Sequence, residues 1–168
     1  IYDTPMPSYD RKYDIYRKEE TEYINNETIY SADIIFKYRL NTCKCLFYQC
    51  SNIIELNLYD FDTTGCTEMV GMFRECTSLT SINLTKFVVT SVTEYTSQMF
   101  FGCKSLVSLD LSSLVAPRVK HIDNMFRECS SLVSLNIENF VFYNVIGMGQ
   151  LFNGCTSLID RKSTRLNS

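Results

Sequence analysis

Apolar residues recur along this chain in a fixed order. Phe47, Phe73, Phe100, Phe126 and Phe152 are each followed three residues later by a cysteine, and Cys50, Cys76, Cys103, Cys129 and Cys155 stand 26, 27, 26 and 26 residues apart. Leu46, Met72, Met99, Met125 or Leu151 precedes each phenylalanine. Three, six and eight residues after the cysteine come Ile53, Leu56 and Leu58; Leu79, Ile82 and Leu84; Leu106, Leu109 and Leu111; Leu132, Leu135 and Ile137. The last two of each set alternate with polar residues. That alternation predicts a short strand with its aliphatic side chains on one face and Asn57, Asn83, Asp110 and Asn136 on the other. Further on stand Phe61, Phe87, Leu114 or Phe140, then Cys66, Val92, Val119 or Val145, with Met69, Tyr95, Ile122 or Met148 three residues later. Val119, Ile122 and the Met125-Phe126 pair fall at i, i+3 and i+6/i+7, which predicts a helix of two to three turns leading back to the next strand.

A unit of 26 residues cannot shield its own leucines, so the units are expected to stack, with strands at the roughly 4.8 Å spacing of a sheet. Strands joined by crossovers of one sense form a parallel sheet and a right-handed coil. A period of 20–29 residues with an L-x-x-L-x-L core is the signature of a leucine-rich solenoid. The expected fold is therefore α/β: a right-handed leucine-rich repeat solenoid over residues 34–159, with a parallel sheet on one face and short helices on the other. One repeat is a residue longer, since Val92 to Phe100 is eight positions where Val119 to Phe126 is seven, and a bulge near Thr96 is expected to absorb it.

The two ends differ from this array. Leu40, Cys43, Leu46 and Phe47 match the repeat's slots, so a degenerate first repeat is expected to open near Ile34 with IIFKYR as its strand. The preceding residues, 1–33, form an N-terminal extension holding six of the eleven tyrosines. Within it, two alternating segments around Asn25-Asn26 predict a hairpin that caps the first coil's open edge. After Cys155 the pattern calls for apolar residues at Arg161 and Ser163, so the repeat stops mid-strand. The closing DRKSTRLNS resembles the translation of a sequencing adapter, and residues 160–168 read as a non-native tail on a segment of a longer protein.

Composition narrows the function. With Lys+Arg 16 against Asp+Glu 19 and a hydrophobic fraction of 45%, the chain reads as a folded domain without the basic field that nucleic acid or an anionic membrane demands. One histidine, no tryptophan and no paired carboxylates leave little material for catalysis. Cys43, Cys45 and Cys50 suggest a metal site by spacing, yet no histidine or second cysteine pair stands at finger spacing, and Cys43, Cys50 and Cys66 occupy core slots. Apart from Cys45, which has no repeat slot, the cysteines are expected to be buried free thiols, and neither metal nor cofactor is expected. His121 is expected on the solvent side of a helix. Asn26-Glu27-Thr28 and Asn83-Leu84-Thr85 match the glycosylation triplet.

The motif MF-x-x-C-x-SL-x-SL-x-L, met from Met72 to Leu84, Met99 to Leu111 and Met125 to Ile137, resembles the bacterial-surface-protein-type leucine-rich repeats, also found in mycoplasmas and protists. That family's F-D-T-S segment survives as Phe61-Asp62-Thr63-Thr64 and is replaced by FVVTS, LVAPR and FVFYN elsewhere. The resemblance implies a secreted or cell-surface adhesin that binds another protein, without catalytic residues. The candidate partner-binding face is the set of outward strand columns: Glu55, Ser81, Ser108 and Ser134; Asn57, Asn83, Asp110 and Asn136; Tyr59, Thr85, Ser112 and Glu138. Each residue alone reads as a solvated strand position sooner than as a contact; together they form the repeated surface that stacked folds use for recognition. From Leu46 to Ile159 the net charge is −4, which favours basic partners. An intracellular scaffold or sensor, and the recognition arm of a larger enzyme, are the alternative readings.

Overall fold

The computed structural model describes residues 15–24, 27–36 and 40–162, apart from 60, 86, 88, 93, 94, 141 and 142. The chain divides into two compact units, Ile1–Leu40 and Asn41–Ser168. In the first, β1 (Ile15–Ile24) and β2 (Glu27–Phe36) pair antiparallel from Ile15↔Phe36 to Ile24↔Glu27, forming the hairpin expected around Asn25-Asn26. Ile34–Phe36, expected to open a first repeat, lies in this hairpin.

In the second unit the strands have three residues each: β3 (Glu55–Asn57), β4 (Ser81–Asn83), β5 (Ser108–Asp110), β6 (Ser134–Asn136) and β7 (Asp160–Lys162). They pair in parallel in two small sheets, β3-β4 and β5-β6-β7. The backbone of β7 keeps register, setting Arg161 opposite Leu135 although the repeat's apolar slot is occupied by an arginine.

This overturns the expected α/β solenoid. No helix occurs among the described residues, and turns and irregular chain make up most of the unit. The backbone shows why. A helix needs a run of right-handed residues bonded i→i−4. Here ten residues have positive φ, at two slots of every repeat: Cys45, Gly71, Gln98, Asn124 and Gln150, then Gln49, Glu75, Gly102, Glu128 and Gly154. Left-handed residues four positions apart end any helix before its second turn. The local bonds are instead tight turns, such as Met72 N–H to Met69 O, Arg74 N–H to Gly71 O and Cys76 N–H to Phe73 O. A spacing of three, read as helical at Val119, Ile122 and Met125, is also the period of consecutive i→i+3 turns.

The intervening peptide units serve another purpose. In each repeat four of them point along the stack, accepting from the layer before and donating to the layer after. Phe73 N–H donates to Met99 O at 2.9 Å while Met72 O accepts from Phe47 N–H at 2.8 Å. Cys45, Gly71, Gln98 and Asn124 repeat this at the left-handed slot, donating to Val70, Ser97, Asp123 and Gly149. The phenylalanine rings of this turn segment stack in one file, Phe47, Phe73, Phe100, Phe126 and Phe152, with centroids 5.5, 5.3, 6.0 and 5.6 Å apart. Around them Leu58, Leu84, Leu111 and Ile137 form a buried column, as do Met72, Met99 and Met125.

The extra residue lies between Val92 and Thr96. Thr96 N–H donates to His121 O, and Thr96 is 2% exposed in the slot filled elsewhere by Cys43, Met69 and Ile122. Tyr95, expected in that slot, is 43% exposed and stacks on His121 at 4.9 Å. His121 is on no helix; it bridges Tyr95 and Gly147 in parallel.

Candidate functional site

The outward strand columns are built by the parallel registers. Glu55 faces Ser81 and Asn57 faces Asn83; Ser108 faces Ser134 and Asp110 faces Asn136. Because β4 and β5 do not pair, the four-layer columns expected from the sequence divide into two pairs. Glu55, Asn57, Tyr59, Ser81, Asn83, Thr85, Ser108, Asp110 and Glu138 are exposed, and Ser112, Ser134 and Asn136 are half-buried.

The middle column has a local task that the sequence reading missed. The Oδ1 of Asn57, Asn83, Asp110 and Asn136 accepts from the backbone N–H two residues on, at Tyr59, Thr85, Ser112 and Glu138, over 3.1, 3.1, 2.8 and 3.2 Å. These are Asx turns that end each strand. Asn83 Oδ1 also accepts from Thr85 Oγ1 at 2.7 Å, so this glycosylation triplet is folded on itself. The recurring Asn/Asp-x-[Tyr/Thr/Ser/Glu] spacing was the available signal. The outer columns, with Glu55, the serines and Glu138, present the face's remaining polar groups.

Beside them runs a column of β-branched residues immediately before the strands: Ile54, Thr80, Val107, Val133 and Ile159. Its four apolar members are exposed. Their shared slot, four residues after the cysteine, was legible in the repeat but lies outside the L-x-x-L-x-L pattern.

The turn segments carry a different file. Arg74 lies over the rings of Tyr48 and Phe101, at 5.6 and 5.0 Å, and Arg127 over Phe101 at 5.7 Å. Arg74 donates from NH1 to Gln98 Oε1 at 2.7 Å, and Arg127 likewise to Gln150 Oε1. Cation–π contact of this kind ties successive layers and consumes the arginines.

Inside, four cysteine thiols donate to the phenylalanine carbonyl of the preceding layer: Cys76 to Phe47, Cys103 to Phe73, Cys129 to Phe100 and Cys155 to Phe126, at 2.9–3.1 Å. Burial, with the neighbouring thiols of the column adding to it, pushes Cys76 and Cys129 up to about 12 and Cys103 well above the ordinary thiol value. Such thiols stay protonated and are poor nucleophiles. The expectation that every cysteine is a free thiol is corrected at Cys43 and Cys66, which are disulfide-bonded with Cα atoms 6.1 Å apart. The bond stands where later layers place Met69 or Thr96 beside Val92 or Val119, and it takes Cys43 out of the suspected metal triplet. Among the described residues no three His, Cys, Asp or Glu side chains converge on a metal position. His121 Nδ1 lies 3.5 Å from Asp123 Oδ2, and Asp123 Oδ1 accepts from Gly149 N–H at 2.7 Å. Among the described residues there is no helix long and apolar enough to cross a membrane.

Short repeats stacked through parallel strand pairs and cross-layer backbone bonds define a repeat protein. The sequence model of the family described as "Mycoplasma protein of unknown function, DUF285" matches residues 41–164, and the chain belongs to that family. No curated protein and no solved structure matches it.

Proposed function

We propose that the chain is a non-enzymatic recognition module of a cell-surface or secreted protein, binding a protein partner through its outward strand columns. The observation that carries this reading is the repetition of outward polar positions in parallel register, Glu55↔Ser81 and Ser108↔Ser134, three of them exposed and Ser134 half-buried, beside an exposed apolar column. Repeated surfaces of this kind gain affinity by summing modest contacts across layers. Three further observations support it. Cys76, Cys103 and Cys129 are buried and held protonated, which takes these three thiols out of use as nucleophiles. The Cys43–Cys66 disulfide suits an oxidising compartment rather than the cytosol, favouring the surface reading over an intracellular scaffold. The motif's resemblance to bacterial-surface-protein-type repeats points the same way.

The test places a photo-crosslinking amino acid at Ser108, on the face, and at Arg118, which is exposed within a turn. Each protein is irradiated on intact cells. A discrete protein adduct from position 108 alone is the expected result. Adducts of equal yield from both positions, or from 118 alone, would refute the assignment.

A further inference from the structure

The apolar column is the part of this face that ordinary surface chemistry does not explain. Resting on the reading of that face as a recognition surface, we propose that the column is a ridge on which a basic amphipathic helix of the partner docks, lying across the strands and along the stack. Ile54, Val107, Val133 and Ile159 are 60, 49, 38 and 85% exposed. The column is a single backbone ladder. Thr80 N–H donates to Ile54 O at 2.7 Å, Val107 N–H to Thr80 O at 3.5 Å, Val133 N–H to Val107 O at 2.8 Å and Ile159 N–H to Val133 O at 3.2 Å. It therefore continues across the step where β4 and β5 separate and joins all five layers by backbone bonds. Its residues are β-branched and restricted at χ1, so covering them costs little side-chain freedom.

Spacing selects the form of the partner. Stacked strands repeat at about 4.8 Å. Residues at i, i+3 and i+7 of a helix advance by roughly 4.5–6 Å per step, close to that interval. Same-face residues of an extended peptide advance by about 6.8 Å and lose step within two layers. The whole column, about 19 Å long, matches some thirteen helical residues. Charge selects the sign. Followed by register into the fifth layer, the polar columns hold Glu55, Asp110, Glu138 and Asp160 against one basic residue, Lys162. Basic residues on the flanks of the docked helix would meet these carboxylates.

The experiment uses the full chain and two labelled fourteen-residue peptides of identical leucine and lysine content. One is stapled as a helix with its four leucines at i, i+3, i+7 and i+10 and its four lysines on the flanks; the other alternates the same four leucines with the four lysines over eight successive positions. Fluorescence anisotropy is expected to show the helical peptide binding at least tenfold tighter than the alternating one. The double variant Val107→Thr/Val133→Thr is expected to weaken it by about tenfold, through loss of apolar contact. Asp110→Asn with Glu138→Gln is expected to weaken it and flatten its salt dependence. Val115→Thr, also exposed but off the column, is expected to leave it unchanged. Thermal melts establish that each variant is folded, and the conservative single variant Val133→Thr repeats the test where the double one is not. Equal affinity for the two peptides, or full binding by the folded Val107/Val133 variant, overturns the proposal. If neither peptide binds while the Ser108 cross-link persists, the helical ridge is wrong and the broader recognition reading stands.

Discussion

Thr96 offers a sharp test of the layer alignment, because the substitution expected to help is the one that removes a polar group. The residue is 2% exposed, and its Oγ1 is buried without a hydrogen-bond partner. Its backbone is fully used, with N–H donating to His121 O at 3.0 Å and O accepting from Met99 N–H at 3.3 Å. Thr96→Val keeps the β-branched shape and those backbone bonds while replacing the hydroxyl with a methyl group. Relieving a buried unsatisfied hydroxyl is worth about 1–3 kcal/mol, and the added methyl contributes up to ~0.8 kcal/mol. Imperfect fit of the new methyl offsets part of this, leaving an expected gain of about 1–2 kcal/mol. For a domain of this size that is a rise in Tm of roughly 3–6 °C. Thr96→Ser keeps the hydroxyl and deletes the methyl, and is expected to lose about 1 kcal/mol. Urea unfolding followed by circular dichroism reads both, as shifts of midpoint at constant slope. The reasoning fails if Thr96→Val is neutral or destabilising while Tyr95→Val raises stability, for then Tyr95 and not Thr96 would hold the core slot.

The remaining predictions follow from the same contacts. Phe100→Ala, in the middle of the ring file and fully buried, is expected to cost about 3–5 kcal/mol, and Leu109→Ala about 2–5 kcal/mol, each measured by denaturant melts. Asn83→Ala removes the strand-ending Asx turn and is expected to cost about 1 kcal/mol, so any loss of partner binding by this variant must be compared at equal folded fraction. Cys76 and Cys129, raised by burial to about 12, remain protonated in the folded protein above pH 9 while the unfolded chain releases those protons. Stability is thus complete below pH 9 and falls between pH 9 and 12, with a slope of about 1.4 kcal/mol per pH unit for each thiol; a flat melting profile over that range would contradict it. Alkylation of the unfolded, unreduced protein is expected to label six cysteines and leave Cys43 and Cys66 joined, read by mass spectrometry.

The residue pattern alone determined the period, the aliphatic columns and the faces of the strands, because apolar side chains at matching slots have no place to go except against those of the next unit. Leu58, Leu84, Leu111 and Ile137 are buried in one column as their alternation required. The hairpin was legible for a similar reason, since two alternating segments flank a turn-prone pair. Tertiary structure decided the rest. A spacing of three is common to helices and to chains of tight turns, and the choice here fell to turns because four peptide units in the turn segment of each repeat bond across layers rather than along the chain. Six of the left-handed residues that permit this are glutamine, glutamate or cysteine, whose side chains announce no such backbone, whereas only Asn124 and three glycines favour it. Which cysteines pair depends on whether two slots of adjacent layers meet, as Cys43 and Cys66 do, and not on their distance in sequence. The candidate face divides in the same way. Its polar columns could be read from alternation, whereas the spending of Asn57, Asn83, Asp110 and Asn136 on turns, and the exposure of the column beside them, follow only from where the neighbouring layers leave room.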